Sequence, residues 1–299
     1  ALQLKRFVML LGDPMAGKST ISAALALAAA DSWGCLPVFA TDAEDFKRHW
    51  NPDEPKQFFW IDDAFGQTQY NRASAQKWNS VFPLLSTAIK KGARVVFTSR
   101  TNIYNSAKRD LKRSAFPLLT DSQVLVEVER LGLQEKKRIL YNHLRMGNQP
   151  VKFRAEIKPY LEGLAERPKL LPEIARRLGN PFFTKDLYLV ESTLSKFVDQ
   201  PTEFLVDVIR ESSQSDFAAL SLLFMRAGQV ALPLTLDDKE RAALAVIEEK
   251  PAKLRDSFVA LENVMVKKSY DASGGSWKFS HPTIREAMAV IISEENDLL

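Results

Sequence analysis

Apolar residues follow two different patterns along this chain. Up to about residue 130, short unbroken apolar runs alternate with stretches of helical spacing; beyond that point helical spacing takes over. The short runs are Phe7–Leu11, Pro37–Thr41, Gln57–Asp62, Arg94–Ser99 and Gln123–Glu129. They read as strands, with helical patterns filling the gaps, notably over Ala73–Lys90. This alternation predicts an α/β fold: a parallel five-stranded sheet with helices on both faces. After Leu131-Gly132-Leu133, helical spacing runs through Gln134–Met146, Phe153–Arg167 and Leu171–Leu178, and Gly179-Asn180-Pro181 marks a break. Further helices are expected over Glu203–Arg226, Asp237–Glu249 and Lys253–Val266. Val264–Tyr270 and Ser276–Ser280, joined by Asp271–Gly275, read as a β-hairpin, and Pro282 opens a last helix at the N1 position that proline favours. Helices followed by a small hairpin point to a winged helix.

The first strand leads into Gly12-Asp13-Pro14-Met15-Ala16-Gly17-Lys18-Ser19-Thr20, which fits the phosphate-loop pattern G-x-x-x-x-G-K-S/T. The residues that follow, Ile21–Ala30, read as helix, so the loop lies between a buried strand and a helix N-terminus, as the pattern requires. Gly12 and Gly17 let the backbone approach an anion closely. Successive N–H groups from Met15 to Thr20 then form a nest at the positive end of the helix dipole. Lys18 is placed to reach the β- and γ-phosphates and Ser19 to ligate Mg²⁺. A chance match in an ordinary glycine turn lacks this strand-then-helix context.

Composition narrows the setting. The chain has 299 residues, 45% hydrophobic and 26% charged, enough for two or three cores. Its net charge of +4 is a mild excess that does not by itself imply nucleic acid or membrane. The single cysteine, Cys35, allows no intrachain disulfide and fits a reducing cytoplasm. No apolar run approaches the ~18 residues that span a bilayer. The first strand begins almost at once, which suggests a module taken from a longer polypeptide.

Two more strand ends carry candidate chemistry. Phe58-Phe59-Trp60-Ile61 ends in Asp62-Asp63. A hard cation takes oxygen ligands and keeps several waters, so Asp62 is the candidate to hold Mg²⁺. Asp63 is placed to orient or polarise the attacking water. Arg94–Ser99 ends at Arg100, whose guanidinium would distinguish ATP from ADP at the γ-phosphate. Without the phosphate loop, the two acids would read as surface carboxylates and the arginine as a strand-end cap.

Taken together, Gly12–Thr20, the string Phe59-Trp60-Ile61-Asp62-Asp63-Ala64-Phe65-Gly66-Gln67-Thr68 and Phe97-Thr98-Ser99-Arg100 resemble the STAND class of signal-transduction ATPases, most of all the bacterial modules fused to antiviral effectors and sensors. The resemblance extends over nearly the whole chain. It implies an α/β nucleotide-binding domain over residues 1–130, a helical lid over 131–200 and a winged-helix domain over 201–299. Gly179-Asn180-Pro181-Phe182-Phe183 resembles the turn that packs on adenine, which gives Pro181 that role. Phe279-Ser280-His281-Pro282 resembles the segment whose histidine contacts the β-phosphate of ADP, which gives His281 that role. The resemblance further implies ATP or ADP with Mg²⁺, self-association on activation, and fused sensor and effector domains. Two departures stand out. Asp63 occupies a position where many related ATPases have Glu, which points to slow hydrolysis, and Asp13 places an acid in the phosphate loop.

Other readings compete. An initiator-like AAA+ ATPase would act on DNA through its winged helix; a small-molecule or nucleoside kinase would leave the helical C-terminal half unexplained; a scaffold would bind nucleotide without hydrolysing it. Lys108, Arg109, Lys112 and Arg113 form a basic helical pattern and Lys267-Lys268 lies in the presumed wing. A dense basic face is missing, so the reading is nucleotide and self as partners rather than nucleic acid or membrane.

Overall fold

The structure, a computed structural model, describes residues 1–112, 114–246, 251–271 and 274–294. The chain divides into two compact units, Ala1–Gly132 and Leu133–Leu299.

The first unit alternates strands and helices: β1 Phe7–Leu11, α1 Lys18–Trp33, β2 Leu36–Ala40, α2 Ala43–His49, β3 Gln57–Ile61, α3 Arg72–Lys91, β4 Arg94–Ser99, α4 Thr101–Ala107 and β5 Leu125–Glu127. The five strands form one sheet in the order β2-β3-β4-β1-β5, every neighbouring pair parallel. Each expected strand is present within a few residues of its predicted ends. All five residues of β1 are buried, which explains why its sequence is an unbroken apolar run rather than an alternating one.

One face of this sheet carries the main core. Phe7, Phe59 and Phe97 project from strands onto Phe46, Trp78, Phe82 and Phe116. Their rings adopt the edge-on, tilted and stacked arrangements that aromatic quadrupoles favour: Phe7 lies 5.4 Å from Phe97 edge-on, Trp78 lies 4.5 Å from Phe97 tilted, and Phe82 stacks on Phe116 at 5.2 Å. Asn71 caps α3 by accepting from the Ser74 amide. The basic pattern at Lys108–Arg113 is not helical. α4 ends at Ala107, Lys108 and Arg109 fall in a turn, Lys112 follows, and Arg113 lies outside the described residues.

The second unit opens with helices α5 Leu133–Met146, α6 Val151–Glu156, α7 Leu161–Glu166, α8 Pro172–Leu178 and α9 Glu191–Asp199. The continuous helix expected over Phe153–Arg167 is broken. Pro159 has no N–H to donate and disfavours helical geometry in the residue before it, and a 3₁₀ turn at Lys158–Tyr160 separates α6 from α7. Two further helices, α10 Pro201–Arg210 and α11 Gln214–Met225, replace the single one expected over Glu203–Arg226. Ser213 starts the second by accepting from the Asp216 amide.

The remainder of the unit is β6 Gln229–Ala231, α12 Asp238–Val246, α13 Pro251–Ala260, β7 Val266–Asp271, β8 Gly274–Phe279 and α14 Pro282–Glu294. The end of the helix expected to reach Glu249 lies outside the described residues, as do residues 272–273 of the hairpin turn. The helix expected over Lys253–Val266 stops at Ala260, because Val266 is already paired in β7. The hairpin is antiparallel, and β6, which the sequence pattern does not predict, adds to it in the order β6-β8-β7. Its core packs Leu205, Ile209, Leu220 and Leu223 with Phe258, Trp277 and Ile284.

Two glycines fix how α5 and α8 meet. A Cβ on Gly179 would sit 2.4 Å from the His143 carbonyl oxygen, and one on Gly147 would sit 2.2 Å from the Gly179 carbonyl oxygen. Gly163 in α7 has nothing within 4 Å of such an atom. Gly179→Ala is therefore expected to destabilise the protein by about 1–3 kcal/mol or more, as overpacking does. Gly163→Ala should leave stability unchanged or raise it by ~0.5–1 kcal/mol through helix propensity. Urea denaturation of both variants checks the pair, and equal effects would show that the α5–α8 contact is not tight.

Candidate functional site

Parallel pairing brings the C-terminal ends of β1, β4 and β3 to the same edge of the sheet, with Leu11 opposite Ser99 and Ile61 opposite Phe97. From these ends emerge the phosphate loop, the Thr98-Ser99-Arg100 segment and the Asp62-Asp63 pair. Gly17 caps α1 with a left-handed φ of 84°. Met15 is also left-handed at 76°, while Ala16 between them is not. This alternation turns successive N–H groups to one side, the arrangement of an anion nest at a helix N-terminus. Gly12 has no left-handed φ; it is held to glycine by space, since a Cβ would lie 3.0 Å from Val128 Cγ2 and 3.3 Å from the Ala16 Cβ.

The first unit brings Lys18, Ser19, Asp62, Asp63 and Arg100 to this edge. Lys18 is buried and donates to the carbonyl oxygens of Gly12 and Asp13, both at 3.0 Å. The Ser19 hydroxyl reaches Asp62 Oδ2 at 2.8 Å and Oδ1 at 3.1 Å. Thr20 is exposed on the first turn of α1. Asp13 is exposed, so the acid in the loop is solvated rather than turned into the nest. Arg100 is buried at the start of α4, close enough that its charge acts on both Lys18 and Asp63.

Two residues given no role by the sequence pattern belong here as well. Thr98, fully buried, donates from its hydroxyl to Asp62 Oδ1 at 2.6 Å and accepts the Asp63 amide at 2.9 Å. Glu129 accepts the Asp13 amide at 2.6 Å, tying the loop to the residue that follows β5 closely. The available signals are a β-branched polar residue closing an apolar strand and an acid at the end of β5.

Electrostatics sets the two carboxylates apart. Burial pushes the Asp63 carboxyl up to about 7; the Asp62 charge adds to this, and Lys18 and Arg100 oppose it. Asp63 also has a φ of 48°, a backbone state rare outside glycine that clusters at functional sites. Burial lowers the Lys18 pKa against the attraction of Asp63, Asp62 and Asp13, and Arg100 adds to the lowering. Ser19 and Asp62 offer hard oxygen donors suited to Mg²⁺. Among the described residues no cluster of three or more His, Cys, Asp or Glu could hold a metal, so a cation here would share its coordination with phosphate and water.

Pro181 and His281 lie in the second unit. Pro181 opens a 3₁₀ turn over Pro181–Phe183, where Asn180 accepts the Phe182 amide at 3.0 Å. His281 precedes α14: its Nδ1 lies 2.8 Å from Thr283 Oγ1 and 3.3 Å from the Thr283 amide nitrogen. Thr283 also accepts from Arg177, a guanidinium only 2% exposed that is paired with Glu173. Burial raises the Glu173 carboxyl, but the Arg176 hydrogen bond and the charges of Arg177, Arg176 and His281 outweigh it and hold the group at about 2.

Residues 1–146 match the family described as Novel STAND NTPase 3. The resemblance to STAND NTPases holds over that stretch. No curated protein matches the chain. Solved structures similar to it include Cdc6p from Pyrobaculum aerophilum, at 13% identity and a TM-score of 0.41, covering 96% of this chain and 88% of that one. Orc1 from Aeropyrum pernix, in complex with DNA, gives 12%, 0.41, 97% and 86%. A RuvB variant from Thermotoga maritima gives 14%, 0.40, 95% and 92%. At that level of similarity the functional reading rests on the family match and the site itself. The match over residues 1–146, together with the geometry of the site, supports a nucleotide-binding ATPase module in this stretch. No helix among the described residues is long and apolar enough to cross a membrane.

The Asp63 shift has a defined consequence for stability. Its folded pKa of about 7 lies above the ordinary 3.8, so the folded protein holds this proton more tightly than the unfolded chain. The benefit is full below about pH 4 and is lost as pH rises towards 7. Asp63→Asn should therefore raise the melting temperature at pH 7.5 and change it little at pH 4, in protein prepared without nucleotide. Melting curves at the two pH values test this, and an equal change at both would contradict it.

Proposed function

We propose that the chain is a nucleotide-operated switch, the ATP- and ADP-binding module of a larger signalling protein of the kind used in antiviral defence. The observation that carries the reading is the joining of Ser19 to Asp62 across two strand ends, beside Lys18 and a loop with left-handed residues at Met15 and Gly17. With a Mg²⁺–nucleotide bound, Lys18 exchanges its loop carbonyls for phosphate oxygens, and Ser19 and Asp62 hold the cation. Arg100 reads the γ-phosphate. Asp63 orients water, and its short side chain keeps hydrolysis well below the ~10 s⁻¹ median of enzymes. In this reading the second unit contains the helical lid and the winged helix. It supplies Pro181 to adenine and His281 to the β-phosphate of ADP. ADP then favours a closed form, while ATP favours self-association in the cytoplasm, with fused sensor and effector domains providing input and output. Differential binding to two states is what allows a nucleotide to shift their balance.

Lys18→Ala should weaken ATP binding tenfold or more, since each charge-assisted bond to phosphate is worth about 1.5–3 kcal/mol. Asp62→Ala should keep nucleotide binding and lose Mg²⁺-dependent hydrolysis. Calorimetry with ATP and a phosphate-release assay read the two; unchanged affinity in the Lys18 variant removes the site assignment.

His281→Ala separates a nucleotide role from its visible place at the start of α14. The switch predicts that ADP affinity falls relative to ATP by roughly tenfold, the value of one charge-assisted bond. A helix-capping role alone predicts a lower melting temperature with the ADP:ATP affinity ratio unchanged.

A further inference from the structure

A hydroxyl carries one proton. The Asp63 amide can only donate, so the Thr98 oxygen accepts there and its own proton goes to Asp62 Oδ1. The Ala64 amide donates to the Thr98 carbonyl at 3.0 Å, so one residue grips three consecutive positions at the end of β3. The sheet order makes this grip necessary. β4 lies between β1 and β3, so the strand that carries the phosphate loop has no backbone bond to the strand that carries the acids. Ser19 spans that gap from the loop side, and Thr98 is the β4 side chain beneath it.

We infer that Thr98 is a positioning residue of the nucleotide site, holding Asp62 Oδ1 and the Asp63 amide on one hydroxyl so that Asp62 Oδ2 is presented to Ser19 and to the cation Ser19 would share. This rests on the reading of the site given above. Ser19 can leave Asp62 for a metal without freeing the carboxylate to rotate, because the Thr98 bond does not involve Ser19. The same hydroxyl, accepting from the Asp63 amide, fixes the peptide that leads into Asp63, whose left-handed backbone would otherwise relax. Thr98 touches neither phosphate nor water in this role; it acts through the two acids.

The test compares Thr98→Val, which keeps the shape and removes the hydroxyl, with Thr98→Ser, which keeps the hydroxyl. ATP affinity is measured by calorimetry with and without Mg²⁺, turnover is measured as kcat and KM, and hydrogen exchange follows the Asp63 amide in protein prepared without nucleotide. The expected result for Thr98→Val is a tenfold or greater loss of the affinity that Mg²⁺ adds and an equal or larger fall in kcat. Affinity without Mg²⁺ should be unchanged, and the Asp63 amide should exchange faster. Thr98→Ser should restore the three that change. Wild-type behaviour in the valine variant overturns the inference. So does a serine variant as defective as the valine one, because packing rather than the hydroxyl would then be responsible. If the valine variant does not fold, Thr98→Ala answers the same comparison. If the wild-type protein binds Mg²⁺–ATP without hydrolysing it, the proposed turnover falls while the Mg²⁺ dependence still decides on Thr98. Absence of any nucleotide binding overturns both.

Discussion

The candidate site depends on where β4 lies. Because it is inserted between β1 and β3, and because all three strands run the same way, three loops leave one edge of the sheet side by side. No single loop holds enough chemistry to act on phosphate. The nest supplies no acid of its own, the Asp pair has no anion-binding backbone, and Arg100 contributes a single guanidinium. Sheet register, a property of the apolar core, makes them one site.

Such a site works against the stability of its own domain. It places Lys18, Asp62, Asp63 and Arg100 at the sheet edge with Lys18 and Arg100 almost fully buried, and the opposite shifts of Lys18 and Asp63 are the electrostatic record of that burial. The aromatic cluster on one face of the sheet, with Phe7, Phe97 and Trp78 at its centre, offsets this.

Much of the first unit was legible in the sequence because its signals are local. A buried parallel strand is an unbroken apolar run, and a phosphate loop is a fixed spacing of residues whose conformations are unusual. Those rules place Lys18, Ser19, Asp62 and Arg100 together before any coordinates are seen. Thr98 and Glu129 escaped because their roles are set by partners dozens of residues away or more, and neither residue type is rare at a strand end. In the second unit the limits differ. A helical period runs smoothly through Ser213 and Pro159, so the breaks there depend on capping and on a missing donor rather than on hydrophobic spacing. β6 is too short to show a period at all. The fold of that unit beyond its helices and hairpin is therefore written in contacts between segments more than in any one of them.

The Arg177 arrangement has a consequence for how the chain is made. Its guanidinium is buried among Glu173 on its own helix and Thr283 on the last one, 106 residues later. A growing polypeptide has every strand of the first sheet once Glu127 has been synthesised, so that unit can fold while translation continues. The second unit cannot complete the burial of Arg177 until α14 exists, and until then the charge is better left in water. Vectorial synthesis thus separates the two maturations in time: the nucleotide loop is in place early, and the second unit closes only when the ribosome has nearly finished the segment.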